Sequence, residues 1–223
     1  MNVCKFCNKS FVKIDTLQRH VCEKKRRFLA KDEKHVQLGL QSFVRFFQLS
    51  VPHKKEITYD DFVNSPYYIS FVKFGSFLSN TKPLYMSKFI DWVIKSGVKI
   101  DHWSKDELYE KYVNELIRTE SVETALERAI IHMQEWATKN KSQLEYYFQQ
   151  VKIDQALYDI SDGKISPWVL LNTKGGKLLL NRMSEKQLKD LYNIIDPIFW
   201  SKKFKANYKE VELVQSIAKE AKI

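Results

Sequence analysis

Cys4, Cys7, His20 and Cys22 are the residues best suited to chemistry here: three thiols and an imidazole fall within 22 residues, and the remaining 201 hold no cysteine. Clustered cysteines serve either disulfide chemistry or metal ligation. A disulfide framework favours an even count in an exported chain. Three cysteines are present, and the start, Met1 to Cys7, lacks the basic-then-apolar layout of a secretory leader. A redox pair at Cys4 and Cys7 would need a thioredoxin-like βαβ unit around it, and none is legible. Metal ligation is what the pattern supports.

The residues between the ligands sharpen this. The chain reads Cys-x2-Cys-x3-Phe-x5-Leu-x2-His from Cys4 through Phe11 and Leu17 to His20. Cysteines so spaced form a tight knuckle that aims both sulfurs at one ion, and Phe11 with Leu17 supplies the only core so small a module can have. Leu17 and His20 lie three apart, so a helix turns both inward. Over residues 4–22 the pattern resembles the ββα zinc finger with two cysteine and two histidine ligands, which implies a hairpin, a short helix and one Zn²⁺. The last ligand departs from that family, whose second histidine follows the first after three to five residues. Here His20-Val-Cys22 leaves one residue between. Two steps along a helix turn about 200°, so an unbroken helix cannot aim both side chains at one ion. The helix is therefore expected to end at His20, with Cys22 closing a Cys-Cys-His-Cys set from the next turn. His35 is the rival fourth ligand, beyond a loop of fourteen residues.

The resemblance also implies an interface. Fingers that read DNA project side chains from the start of the helix into the major groove. Alignment on Phe11, Leu17 and His20 places Lys13, Thr16 and Arg19 at the base-contacting positions. Lys and Arg suit guanine edges or phosphates, and Thr serves either. One finger covers about three base pairs, so general nucleic-acid contact is expected rather than strict sequence recognition.

Charge points the same way. The net charge is +10 and the pI about 9.3. Residues 1–57 carry 13 basic and 5 acidic side chains, whereas residues 58–223 carry 24 and 22. The excess is densest at Lys24, Lys25, Arg26 and Arg27, beside the finger, where each neutralised phosphate would add salt-sensitive affinity. The bland reading is a solvated linker face; in a eukaryotic source the same run would suit a nuclear-import signal.

These elements need a scaffold. A chain of 223 residues that is 44% hydrophobic and 13% aromatic has material for a packed core, which excludes wholesale disorder. No apolar run approaches the roughly 18 residues of a spanning helix, and the chain reads as soluble and intracellular. The expected fold is mainly α: a ββα finger over 1–23, a long basic amphipathic connecting helix over 24–50, and an all-α domain over 51–223. The connecting helix follows from Leu29, Val36, Leu40, Phe43 and Phe47, which recur at helical steps until Val51-Pro52 ends it. Further helices are marked by Pro83, by capping boxes at Ser104–Glu107 and Ser184–Gln187, and by Ser121, Ser142, Ser166-Pro167 and Asp196-Pro197. Gly175-Gly176 reads as a helix end, and Lys177–Leu180 as the one candidate strand outside the finger.

No enzyme is expected. His132 and Glu135 share a helical face, with Glu127 nearby, but a bundle metal site needs further such sets on facing helices. Asp60-Asp61 suits a helix start, and Asp101-His102 a turn. Lys174-Gly-Gly-Lys177 lacks phosphate-loop spacing. Tyr68, Phe71, Phe74 and Leu78 read as core, and Tyr67 with Tyr68 as the aromatic pair to look for at the surface.

The reading is a zinc-binding, non-enzymatic nucleic-acid-binding accessory protein, DNA being the favoured target. Its helical body would recruit a protein partner. A protein-interaction or assembly module with purely structural zinc is the alternative, and a nuclease assembled from distant carboxylates is a third. The finger end Leu-x2-His-x-Cys-Glu-x-Lys-Arg-Arg over residues 17–27, joined to a helical body, resembles proteins of T4-like tailed phages. That resemblance implies no activity and would place the chain in the host cytoplasm or the virion.

Overall fold

The structure, a computed structural model, describes residues 1–50 and 56–223. The chain is mainly helical, with one small two-stranded sheet at its start. It divides into two compact units, Met1–Tyr109 and Glu110–Ile223. Among the described residues no helix is long and apolar enough to cross a membrane.

The first unit opens with β1 (Asn2–Val3) and β2 (Ser10–Phe11), paired antiparallel with Asn2 opposite Phe11, then α1 (Ile14–Arg19). The single connecting helix expected over 24–50 is two helices, α2 (Glu23–Leu29) and α3 (Lys34–Ser50). Residues 30–33 turn between them, with Glu33 N–H donating to the Ala30 carbonyl at 3.0 Å. The break is needed because the two helices bury different faces. On α2 it is Phe28 that packs inward, while Leu29 is 71% exposed. The expected end at Val51-Pro52 lies outside the described residues.

Next come α4 (Tyr59–Asn64), α5 (Tyr68–Thr81) and α6 (Met86–Lys95). Thr58 and Asp61 form a capping box on α4, which explains one of the two aspartates by local chemistry. Tyr68, Phe71, Phe74 and Leu78 are buried as the spacing requires, whereas Tyr67 is exposed. Pro83 does not open α6. It is buried between Lys82 and Tyr85, both left-handed, and α6 starts only at Met86. Around Phe71 and Phe74 the core is aromatic: Trp103 meets both rings edge-on at 5.7 and 5.2 Å and donates its indole N–H to the Val98 carbonyl.

Helices α3 and α5 cross in near contact. A Cβ on Gly75 would fall 2.0 Å from the His35 carbonyl oxygen, and one on Gly39 2.8 Å from that of Phe71. Gly75→Ala should therefore destabilise the chain by about 2–3 kcal/mol through forced helix separation, against the roughly 1 kcal/mol that alanine gains in helix propensity. Urea unfolding measures the balance, and a stabilised variant would refute the close crossing.

Helix α7 (Asp106–Thr119) opens one residue beyond the start that the Ser104 box implies. The second unit continues with α8 (Val122–Asn140), capped by Ser121 as expected, α9 (Tyr147–Gln150) and α10 (Ile153–Ser161). It closes with α11 (Pro167–Asn172), α12 (Lys174–Asn181), α13 (Glu185–Ile194), α14 (Pro197–Ala206) and α15 (Tyr208–Glu220). Residues 177–180 are helical, not a strand. Gly175 and Gly176 lie in the first turn of α12 and do not end α11; Thr173 does that, and its hydroxyl also caps α12. A Cβ on Gly176 would sit 1.9 Å from the Leu170 carbonyl oxygen, so this glycine exists for close packing of α11 on α12. The core of the unit gathers Trp168, Trp200 and Phe204, with Trp168 5.9 Å from Trp200 and 5.0 Å from Phe204.

Candidate metal centre

The hairpin and α1 bring four ligand atoms together. One atom each from Cys4, Cys7, His20 and Cys22 lies within 4.8 Å of every other, the only such group among the described residues. Cys4 Sγ and Cys22 Sγ are 4.0 Å apart, and Cys7 Sγ is 3.3 Å from His20 Nε2. Four donors around a tetrahedral ion with metal–sulfur bonds of about 2.3 Å stand roughly 3.8 Å from one another. The set therefore fits a metal ion, and 4.0 Å is well beyond a disulfide bond of about 2.05 Å.

The backbone explains how the fourth ligand arrives. Helix α1 stops at Arg19, and His20 is extended with φ −71° and ψ 120°. Cys22 is the N-cap of α2, also extended, and its sulfur accepts the Lys25 N–H at 3.4 Å. Helix end and helix start thus let His20 and Cys22 face one position although a single residue separates them. His35 is elsewhere, in the first turn of α3, with Nε2 3.5 Å from a Glu33 carboxylate oxygen.

The knuckle treats its two thiols differently. Asn8 takes the left-handed conformation, φ 59°, that folds the loop back, and Cys4 N–H donates to the Lys9 carbonyl at 2.9 Å. Burial pushes the Cys4 thiol up, but the N–H groups of Phe6 and Cys7, with the Cys7 and Cys22 thiols, hold it below the ordinary cysteine value. At Cys7 the Lys9 N–H pulls down, yet burial and the sulfurs of Cys4 and Cys22 outweigh it, so this thiol lies above the ordinary value. Each thiolate opposes ionisation of the next, and a cation between them removes that opposition.

The centre is tied to the helical part of its unit by residues that the ligand pattern did not reveal. Phe6, inside the knuckle, packs 5.3 Å from Phe28 of α2, which meets Tyr59 of α4 at 5.7 Å. Tyr59 donates its hydroxyl to the Arg27 carbonyl at 2.6 Å. The available signal was an apolar residue in a loop too small to bury it.

Of the residues expected at an interface, Lys13, Thr16 and Arg19 are exposed on α1 and its entry, and Lys24 and Arg26 are exposed on α2. Lys25 is half-buried and donates to the His20 carbonyl at 3.2 Å. Arg27 is spent on the fold: it donates to the Val63 carbonyl at 2.7 Å, pairs with Glu23, and lies 4.4 Å over the Tyr68 ring. A basic run on a helix has a period, and Arg27 falls on its inward side.

In the second unit His132 is structural in an unexpected way. Its Nε2 lies 2.9 Å from an oxygen of Asp159, a residue 1% exposed, which also accepts from the Tyr147 hydroxyl and the Gln155 amide at 2.9 Å each. Burial pushes the Asp159 carboxyl up, but His132, Tyr147 and Gln155 together hold it below the ordinary value. Glu127 and Glu135 point away, exposed.

A scan against models of known protein families finds no match, and searches of the curated proteins and of the solved structures find none either. The functional reading therefore stands on the site itself.

Proposed function

We propose that the chain is a zinc-binding, non-enzymatic nucleic-acid-binding accessory protein. Cys4, Cys7, His20 and Cys22 hold one Zn²⁺, for which three thiolates and an imidazole are an apt donor set. Zinc bound there makes the finger a rigid presenter of its exposed face. Lys13, Thr16 and Arg19 meet a groove or backbone, and Lys24 and Arg26 add phosphate contacts from the start of α2. DNA is the favoured target, and the helical body recruits a protein partner.

The observation that carries the reading is the exposure of these four cations immediately around a four-ligand centre that is itself anchored through Phe6 and Phe28. Fluorescence anisotropy with labelled duplex DNA, single-stranded DNA and RNA across a salt series tests it. Four phosphate contacts predict a log–log slope of about −3.6 on duplex, at roughly −0.9 per contact. Lys24→Ala with Arg26→Ala should bring the slope to about −1.8 on the same basis. No binding to any of the three nucleic acids at low salt would sink the proposal.

That outcome would favour a protein-interaction module, for which the finger also offers a specific feature. Val12 is 92% exposed and Ile14 52%, so apolar side chains flank Lys13 at the helix entry. Apolar groups left in water at such a tip suit an apolar partner surface.

A further inference from the structure

A second concentration of positive charge lies in the unit Glu110–Ile223, and no ligand pattern in the sequence marks it. Lys174 and Lys177 stand one turn apart on α12; Lys219 is in the last turn of α15, and Lys222 lies just past its end, held left-handed at φ 56°. All four line one cavity of about 640 Å³. All four are exposed, and the ion pairs that this unit forms among its described residues use Arg128, His132 and Lys164 instead. Against the four lysines the lining sets Glu145 and, at the end of this sequence, the Ile223 carboxylate, which leaves a net excess of two positive charges in a cleft whose low-dielectric walls strengthen their field.

We propose that this cavity binds an oligophosphate, a chain of two or three linked phosphoryl groups, either free or carried by a nucleoside. A single phosphate brings about −1.5 to −2 charges at pH 7 and would balance that excess, but it cannot give each of four lysines separate oxygens, as a di- or triphosphate does. The volume also exceeds one phosphate and falls inside the roughly 300–1,000 Å³ of small-molecule sites. Lysine ammoniums on flexible stems suit such a ligand, since each follows a phosphoryl oxygen as a point charge. Gln149 and Gln215, exposed on the same lining, supply uncharged hydrogen-bonding groups for a hydroxyl or base beside the phosphates.

Isothermal titration of the full chain with inorganic triphosphate and with a nucleoside triphosphate, at about 50 mM salt where electrostatic contacts are weakly screened, tests this. Saturable binding is expected, weakened at least about ten-fold by Lys174→Gln with Lys177→Gln, and likewise by Lys219→Gln with Lys222→Gln. These side chains are exposed, so circular dichroism should show unchanged folding. Lys24→Gln with Arg26→Gln, beside the finger, should leave the affinity within about two-fold, which separates this site from the nucleic-acid proposal. Tighter binding of the nucleoside form would mean that the glutamines recognise ribose or base; equal binding would mean that the phosphate chain alone is read. The proposal is overturned if neither anion saturates the protein below about 1 mM. It is equally overturned if the loss follows the Lys24 and Arg26 variant, or if an oligonucleotide but no triphosphate depends on the four lysines.

Discussion

Cys4→Ser should cost the chain its bound zinc and unfold residues 1–22 while the helices from α3 onward persist. Within this segment only Cys4 is buried, at 3% exposure, and α1 buries no residue at all. With only the half-buried Phe11 and Leu17 as an apolar core, the finger is expected to depend on its metal, whose binding in such modules contributes about 10–16 kcal/mol at pH 7. The expected readout is one equivalent of zinc by elemental analysis in the wild type and none in the variant. Amide-exchange protection should vanish over 1–22, and helical circular dichroism should fall little, because α1 is only six residues long. Cys22→Ser should behave alike, and His35→Ala should keep both zinc and protection. A Cys4→Ser protein that retains a full equivalent of zinc and a protected hairpin would refute the four-ligand centre.

Arg128→Met should lower stability by about 3–5 kcal/mol, the usual cost of stripping one partner from a buried ion pair. Arg128 and Glu120 retain only 8% and 2% of their side-chain exposure, and their pairing is bidentate, one bond being 2.6 Å. Arg128 Nε also donates to the Gly163 carbonyl at 2.7 Å, so the same guanidinium ties α8 to the turn after α10. Methionine fills the volume but strips the buried Glu120 carboxylate of its ion pair, leaving Lys203 as the remaining cation that feels its charge. At roughly 2–4 °C per kcal/mol for a chain of this size, the melting temperature should fall by about 10 °C. Adding Glu120→Gln should restore much of the loss, since the buried charge stripped of its ion pair is then gone. An Arg128→Met protein within about 1 kcal/mol of wild type would show that the pair contributes little beyond its own desolvation cost.

These two sites differ in how far the sequence exposed them. The candidate ligands of the metal centre sit within 22 residues, and their closeness follows from local rules: knuckle spacing, helix period and the 200° argument at His20 and Cys22. Even the end of α1 was legible, because ligation by both residues requires it. Glu120 and Arg128 are ordinary surface types eight positions apart, and nothing in their spacing says that the turn between α7 and α8 folds one onto the other. The same holds for Asp159, whose partners His132 and Tyr147 come from different helices. The basic run was legible as composition but not as function, since only the packing of Phe28 and Tyr68 showed that Arg27 faces inward.

The sequence by itself determined the helical class, several helix starts and the closeness of Cys4, Cys7, His20 and Cys22, because each depends on contacts within about one turn of chain, where caps, prolines and periodicity act directly. Only the tertiary structure decided the break between α2 and α3, the close approach of Gly176 to the Leu170 carbonyl, and the gathering of Lys174, Lys177, Lys219 and Lys222. Those depend on which distant backbone a residue meets. Gly75 and Gly176 are read as helix-weakening by any local rule, yet each is required where another chain segment passes closer than a methyl group allows.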